Sequence, residues 1–175
     1  FAVMARAVPE FDPATFETIV DGTPRKGAPV LVAGPGTGFG VATLLGSDAS
    51  TWHVLNGEGG HVAFSPRDET ELALARILLA RHGYVSNELV ASGSGLNAVH
   101  EAFCEIHGRT YQEIGPQQMR QLADAGDEMF RSLIQLRANT VMSAVGDLVL
   151  ANGALGGVVL AGGVTDRITD FLKSA

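Results

Sequence analysis

The sequence predicts an α/β domain, and three observations carry that reading. Three short apolar, β-branched runs lie close together between residues 29 and 56. Helical periodicity then takes over from residue 66 to residue 153. One more apolar run, residues 156–163, leads from paired glycines to paired glycines ahead of a last helix. Strands followed by helices followed by a strand and helix make an α/β architecture.

Each element has its own justification. Residues 1–8, FAVMARAV, read as the end of a helix stopped before Pro9, because the residue preceding a proline is pushed out of the helical region. Residues 9–28 hold Pro9, Pro13, Gly22, Pro24 and Gly27 and read mostly as loop. PVLVAG (29–34), GVATLL (40–45) and TWHVLN (51–56) are strands, and their short links predict an antiparallel meander. The stretch SPRDETELALARILLARHG changes to helical spacing and ends at Gly83; either Ser65 before Pro66 or Asp68 with Glu71 caps its start. A short helix is expected near VSNELVAS, and another from about Gly95 to His107, closed by Gly108. PQQMRQLADAG is a short helix. DEMFRSLIQLRANTVMSAVGDLVLANG is a long one, with Phe130, Leu133, Ile134, Val141, Val145, Leu148 and Val149 on the buried side and Gly153 at its end. GGVVLAGG (156–163) is expected as a fully buried strand leading into a final helix.

Composition narrows the function classes. The chain has 175 residues, 46% of them hydrophobic and 18% charged, as a packed globular core requires. A net charge of -7 opposes binding to nucleic acid or to an acidic membrane, both of which need a basic face. No apolar run approaches the ~20 residues that span a bilayer. Residues 1–8 are too short and lack the flanks of a leader peptide. The single cysteine, Cys104, forms no internal disulfide and reads as a core thiol, in keeping with a reducing cytoplasm. The chain opens at Phe1 in what reads as a helix without a cap and stops at Ala175 inside another. A piece of a larger domain, incomplete at both ends, is expected.

Four stretches could carry chemistry. GPGTGFG (34–40) has four glycines in seven positions between two strands. Bare backbone N–H groups and the Thr37 hydroxyl suit phosphate oxygens, although an ordinary hairpin loop explains them too. No Gly-Lys-Ser/Thr follows, and the loop joins strand to strand, so it is neither a Walker A loop nor a dinucleotide fingerprint. GEGGH (57–61) places Glu58 and His61 three positions apart among glycines. A carboxylate accepts from adjacent sugar hydroxyls, imidazole donates or accepts by tautomer, and glycine permits close approach. A solvated turn explains the same residues, and a zinc pair lacks a further ligand cluster. Glu88, in VSNELVASGSG, reads by itself as an exposed helix glutamate. LAGGV (160–164) ends a strand in Gly162 and Gly163 before a helix, a common meeting place of ligand and sheet and equally a tight packing turn.

In order and spacing, VAGPGTGFGVATLL, GEGGHVAFSP, VSNELVASGSGL and VVLAGGV resemble the bacterial glucokinase family along essentially the whole chain. This resemblance implies the actin-like, ribonuclease-H-like ATPase fold of sugar kinases, with residues 1–175 forming most of the larger C-terminal domain of a two-domain enzyme. It implies that Glu58, His61 and Glu88 bind glucose hydroxyls. Gly36, Thr37 and Gly38 would hold nucleotide phosphates, and Gly162 and Gly163 the adenosine side. The reaction implied is transfer of the γ-phosphoryl group of ATP, with Mg2+, to the 6-hydroxyl of glucose in the cytoplasm. The family often forms homodimers.

One departure matters. The family's general base is an aspartate in an Asn-Asp pair immediately before a stretch similar to FAVMARAV, so it is expected just upstream of Phe1. Asp12 and Asp21 fall in a loop with no argument for the role, and the 175-residue chain alone is expected not to phosphorylate glucose. Three other readings compete. Related hexose kinases and sugar-responsive repressors share the Glu-x-Gly-His motif, but many carry a cysteine-rich zinc motif that one cysteine cannot supply. A non-catalytic sugar-binding remnant would lack the upstream Asn-Asp pair. A nucleotide-binding protein without a sugar site would be stabilised by ATP and by no hexose.

Overall fold

The computed structural model describes residues 2–46 and 52–175. A short helix α1 (Ala2–Ala7) runs into a 3-10 turn at Val8–Glu10 that contains Pro9. Strands β1 (Val30–Pro35), β2 (Phe39–Leu45) and β3 (His53–Gly57) follow, each antiparallel to the one before. This is the expected meander; Phe1 and Thr51, the first residues of two expected elements, lie outside the described residues. Helices α2 (Glu69–His82), α3 (Asn87–Ala91), α4 (Leu96–Ile106), α5 (Pro116–Asp124) and α6 (Glu128–Asn152) come next. Strand β4 (Val158–Leu160) then pairs parallel to β1, giving the sheet order β3-β2-β1-β4.

The alternation of side chains across the strands splits the interior in two. Leu31, Ala33, Phe39 and Val41 face the helices and join Leu74, Leu78, Phe103, Leu133 and Val141 in the main core. Val32, Ala42 and Leu44 point the other way and are covered by Ala5 and Val8. Burying a side chain such as Phe103 completely contributes about 1.5–3 kcal/mol, so the helical layer supplies most of the burial.

Local chemistry settles the helix ends. Asp68, not Ser65, caps α2: its Oδ1 accepts from the Glu71 N–H at 2.8 Å. Glu71 is fully buried and accepts from the Arg67 backbone N–H at 2.7 Å and its guanidinium at 2.9 Å. Helix α6 starts on Asp127 and ends at Gly153, whose φ of 61° favours glycine.

Two expectations need correction. The run 156–163 is not a fully buried strand. Only Val158–Leu160 are extended, at one edge of the sheet, and Val158 is 39% exposed. Its apolar composition matches a central parallel strand, but among the described residues only β1 lies beside it. The final helix is two short ones, α7 (Gly163–Arg167) and α8 (Thr169–Leu172), because Ile168 leaves the helical region with φ −126° and ψ 20°. Ile168 is buried at that break, so packing overrides helical continuity.

Candidate active site

The glycine-rich stretches meet at one end of the sheet. Gly36, Thr37 and Gly38 form the tip joining β1 to β2, tightened by the Gly36 N–H donating to the Gly38 carbonyl at 2.8 Å. Thr37 is exposed, and the Thr37 and Gly38 N–H groups donate to no backbone carbonyl among the described residues. The turn after α3 grips the tip from behind. Gly93 N–H donates to Gly36 O at 2.7 Å and Ser94 N–H to Thr37 O at 2.9 Å. On the other side Gly162 presses against the base of the tip. A Cβ there would lie 2.8 Å from the Pro35 carbonyl oxygen, and its φ is 112°.

GEGGH closes the same end. After β3 the chain makes a 3-10 turn at Gly59–His61, with the His61 N–H on the Glu58 carbonyl at 3.0 Å. Its glycines are there for contact. A Cβ on Gly60 would lie 2.2 Å from the Phe39 carbonyl oxygen, and one on Gly59 would meet Leu148 at 2.9 Å. The next residues run beside the entry to α3: Asn87 N–H donates to Val62 O at 2.9 Å, and Tyr84 OH to His61 O at 2.7 Å. Ser86 caps α3 by accepting from the Leu89 N–H at 3.1 Å. That entry sets Glu88 against the sheet.

Glu58, His61 and Glu88 therefore converge. His61 Nε2 is 3.9 Å from a carboxylate oxygen of each glutamate. That is too long for a hydrogen bond, so the three groups face one another without consuming one another. Their exposures differ: the Glu58 side chain is 88% accessible and that of Glu88 only 25%. Glu88 is not the exposed helix glutamate its helix alone suggests. Its Oε2 accepts from the Phe39 N–H at 2.6 Å, at the foot of the glycine tip, while Oε1 faces His61. Gly38 makes room for it, since a Cβ there would lie 2.8 Å from Oε2.

Beside Gly93 a cavity of about 890 Å3 opens between α4, α5, α6 and α7, with Asn97, Met119, Arg120, Arg137 and Val164 among its walls. Sequence motifs did not reveal this cavity, because its walls come from segments up to 75 residues apart (Gly93 to Ile168) and none has a signature of its own. Among the described residues no three His, Cys, Asp or Glu side chains cluster where a metal ion could sit, and no helix is long and apolar enough to cross a membrane. Cys104 is buried, and burial pushes its thiol pKa up, away from the nucleophilic thiolate form.

A family model described as glucokinase matches residues 1–175. The chain belongs to the glucokinase family. The glucokinase of Chromobacterium violaceum is 36% identical over 176 residues, covering 100% of this chain and 50% of that protein. The glucokinase of Caulobacter sp. strain K31 is 38% identical, covering 99% of this chain and 52% of the relative. The crystal structure of a glucokinase from an Antarctic psychrotroph superposes with a TM-score of 0.90 at 34% identity, covering 100% of this chain and 54% of that one. The chain thus spans about half the length of the glucokinases it matches. Its fold is the α/β actin-like fold of these sugar kinases.

Proposed function

We propose that the protein carrying this chain is an ATP-dependent glucokinase, forming glucose 6-phosphate, and that residues 1–175 make up most of its larger, C-terminal domain. The observation that carries this reading is the 2.6 Å bond from the Phe39 N–H to Glu88, which joins a polyhydroxyl-type cluster directly to a glycine-rich tip. Glu58, His61 and Glu88 supply two carboxylates and an imidazole for neighbouring hydroxyls, each of which can both donate and accept. The Thr37 hydroxyl and the N–H groups of Thr37 and Gly38, which donate to no backbone carbonyl among the described residues, are the donors offered to phosphate oxygens. The cavity beside Gly93 is large enough for a nucleoside, and Val164, the residue after Gly162 and Gly163, is among its walls.

Phosphoryl transfer depends on alignment and charge neutralisation more than on covalent help from the protein. The three polar side chains orient the ring, and the tip donors stabilise charge on the transferred group. Mg2+ fits this arrangement as a passenger on the nucleotide, since it keeps several waters and binds mainly through substrate phosphates, and no acidic cage is present among the described residues. The family resemblance puts the general base on an aspartate ahead of the stretch similar to FAVMARAV, which leaves Glu58 and Glu88 to the sugar. A cytoplasmic homodimer is the setting that resemblance implies.

The test is steady-state kinetics on the full-length protein. Glucose-dependent ADP formation is expected. Glu88→Gln and Glu58→Gln should raise the glucose KM, by roughly 10-fold or more for Glu88, where a charged acceptor in a half-buried site is lost. The effect at Glu58 should be smaller because that carboxylate is solvated. ATP turnover that ignores hexose, or unchanged glucose KM in both variants, would overturn the reading.

A further inference from the structure

Arg137 lies in the middle of α6, 5% exposed. No carboxylate among the described residues pairs with it; its partners are three carbonyls. Nε donates to Val90 O at 3.3 Å, and Nη2 donates to Ala91 O at 2.9 Å and Ser92 O at 2.8 Å. Burial alone lowers its pKa to about 10, so it stays cationic at neutral pH. Holding an unpaired cation inside a protein is costly, and the end of a five-residue helix could have been satisfied by a glycine or by water.

The position of the acceptors gives the cation a purpose. The Ser92 carbonyl and the Gly93 N–H belong to one peptide group. Arg137 holds that peptide by its oxygen at 2.8 Å, and the peptide holds Gly36 O by its N–H at 2.7 Å. The next N–H, of Ser94, holds Thr37 O. A positive charge on the carbonyl polarises the peptide and strengthens its N–H as a donor. The turn has little freedom to compensate, because Gly95 passes so close to Leu89 that a Cβ would fall 1.7 Å from its carbonyl oxygen.

We propose that Arg137 is a positioning residue for the Gly36–Gly38 tip, acting through the Ser92–Gly93 peptide. This rests on the reading of that tip as the phosphate-binding element. A loosened tip weakens nucleotide more than sugar, because of the three sugar residues only Glu88 touches the tip, while Glu58 and His61 are carried by a different turn.

The experiment compares Arg137→Met and Arg137→Lys with the unaltered full-length protein in two ways. In kinetics, Arg137→Met should raise the ATP KM roughly 10-fold and the glucose KM less than about three-fold. Arg137→Lys keeps the charge but cannot span three carbonyls, so it should recover part of that loss. In amide hydrogen exchange, Gly93 and Ser94 should lose protection in both variants while the β2–β3 pairing keeps its own. Equal rises in the two KM values, equal loss of protection across the sheet, or unchanged protection at Gly93 would each overturn the proposal. If Arg137→Met does not fold, Arg137→Lys decides on the same readouts. Should the unaltered protein show no glucose-dependent turnover, the kinase reading fails, and the exchange measurement still judges Arg137 on its own.

Discussion

Glu88 divides its carboxylate between two neighbours, one oxygen on the Phe39 N–H and the other toward His61. Nothing within its own helix announces that division. The hydrogen bond joins residues 49 apart, and short-range spacing only places Glu88 in the first turn of α3. Glu58 and His61 are different, because their glycine neighbours mark them. The glycines of GEGGH serve contact, since Gly59 and Gly60 let the turn lie directly on β2 and α6. A prediction belongs at this scale. Gly60→Ala puts a Cβ 2.2 Å from the Phe39 carbonyl oxygen, with no flexible side chain to yield. It should destabilise by about 1–3 kcal/mol or more, read as a lower urea midpoint at constant slope. Gly146→Ala, on the exposed side of α6 with nothing within 4 Å, should instead stabilise by about 0.5–1 kcal/mol. A Gly60→Ala midpoint equal to that of the unaltered protein would mean that the turn does not lie on Phe39.

Among the elements, the helices with strong boundary residues were the most legible. Gly83, Gly108 and Gly153 sit where the spacing put them, and of the two caps open for α2 it is Asp68 that serves, because caps act within a few residues. Strand β4 and the α7–α8 break were not legible, because both depend on what lies beside them in space. An apolar run shows that a segment can be buried, not how many neighbours it has. Helix α6 offers a further test. Asp127 caps it, with Oδ1 accepting from Met129 N–H at 3.0 Å, and also holds Arg109 Nη1 at 2.7 Å. The Arg109 hydrogen bond, with the helix N–H groups, draws the Asp127 pKa below the ordinary aspartate range. A carboxylate with a depressed folded-state pKa stabilises the fold above its unfolded pKa and loses that contribution as pH falls through the folded one. Asp127→Ala should therefore cost about 1 kcal/mol near neutrality from the cap. The gap to the unaltered protein should narrow as pH drops below about 4. Thermal unfolding at pH 7 and pH 3 measures both, and a gap that stays constant would remove Asp127 from the acid response.

At the scale of the whole molecule, the order of the meander, the helices and the last strand was written in local periodicity, and so was the set of glycine stretches. What the sequence could not show was that they share one end of the sheet and touch. That contact has a consequence for binding. Sugar hydroxyls engaging Glu88 would hold its carboxylate in place, and the same carboxylate anchors Phe39 at the foot of the tip. Nucleotide phosphates ordering the tip would hold Glu88 from the other side. Each ligand then meets a site already ordered by the other, and the effect must be reciprocal because binding free energies form a closed cycle. In the full-length protein, glucose should tighten a non-hydrolysable ATP analogue by about five-fold or more, and the analogue should tighten glucose by the same factor. Isothermal calorimetry with each ligand alone and with the other at saturation gives both numbers. Glu58→Gln should weaken glucose yet leave that factor intact, since the Glu58 side chain is 88% exposed and does not touch the tip. Glu88→Gln should reduce it, because an uncharged amide holds the Phe39 N–H less strongly. Equal analogue affinities with and without glucose would show that Glu88 supports two sites without linking them.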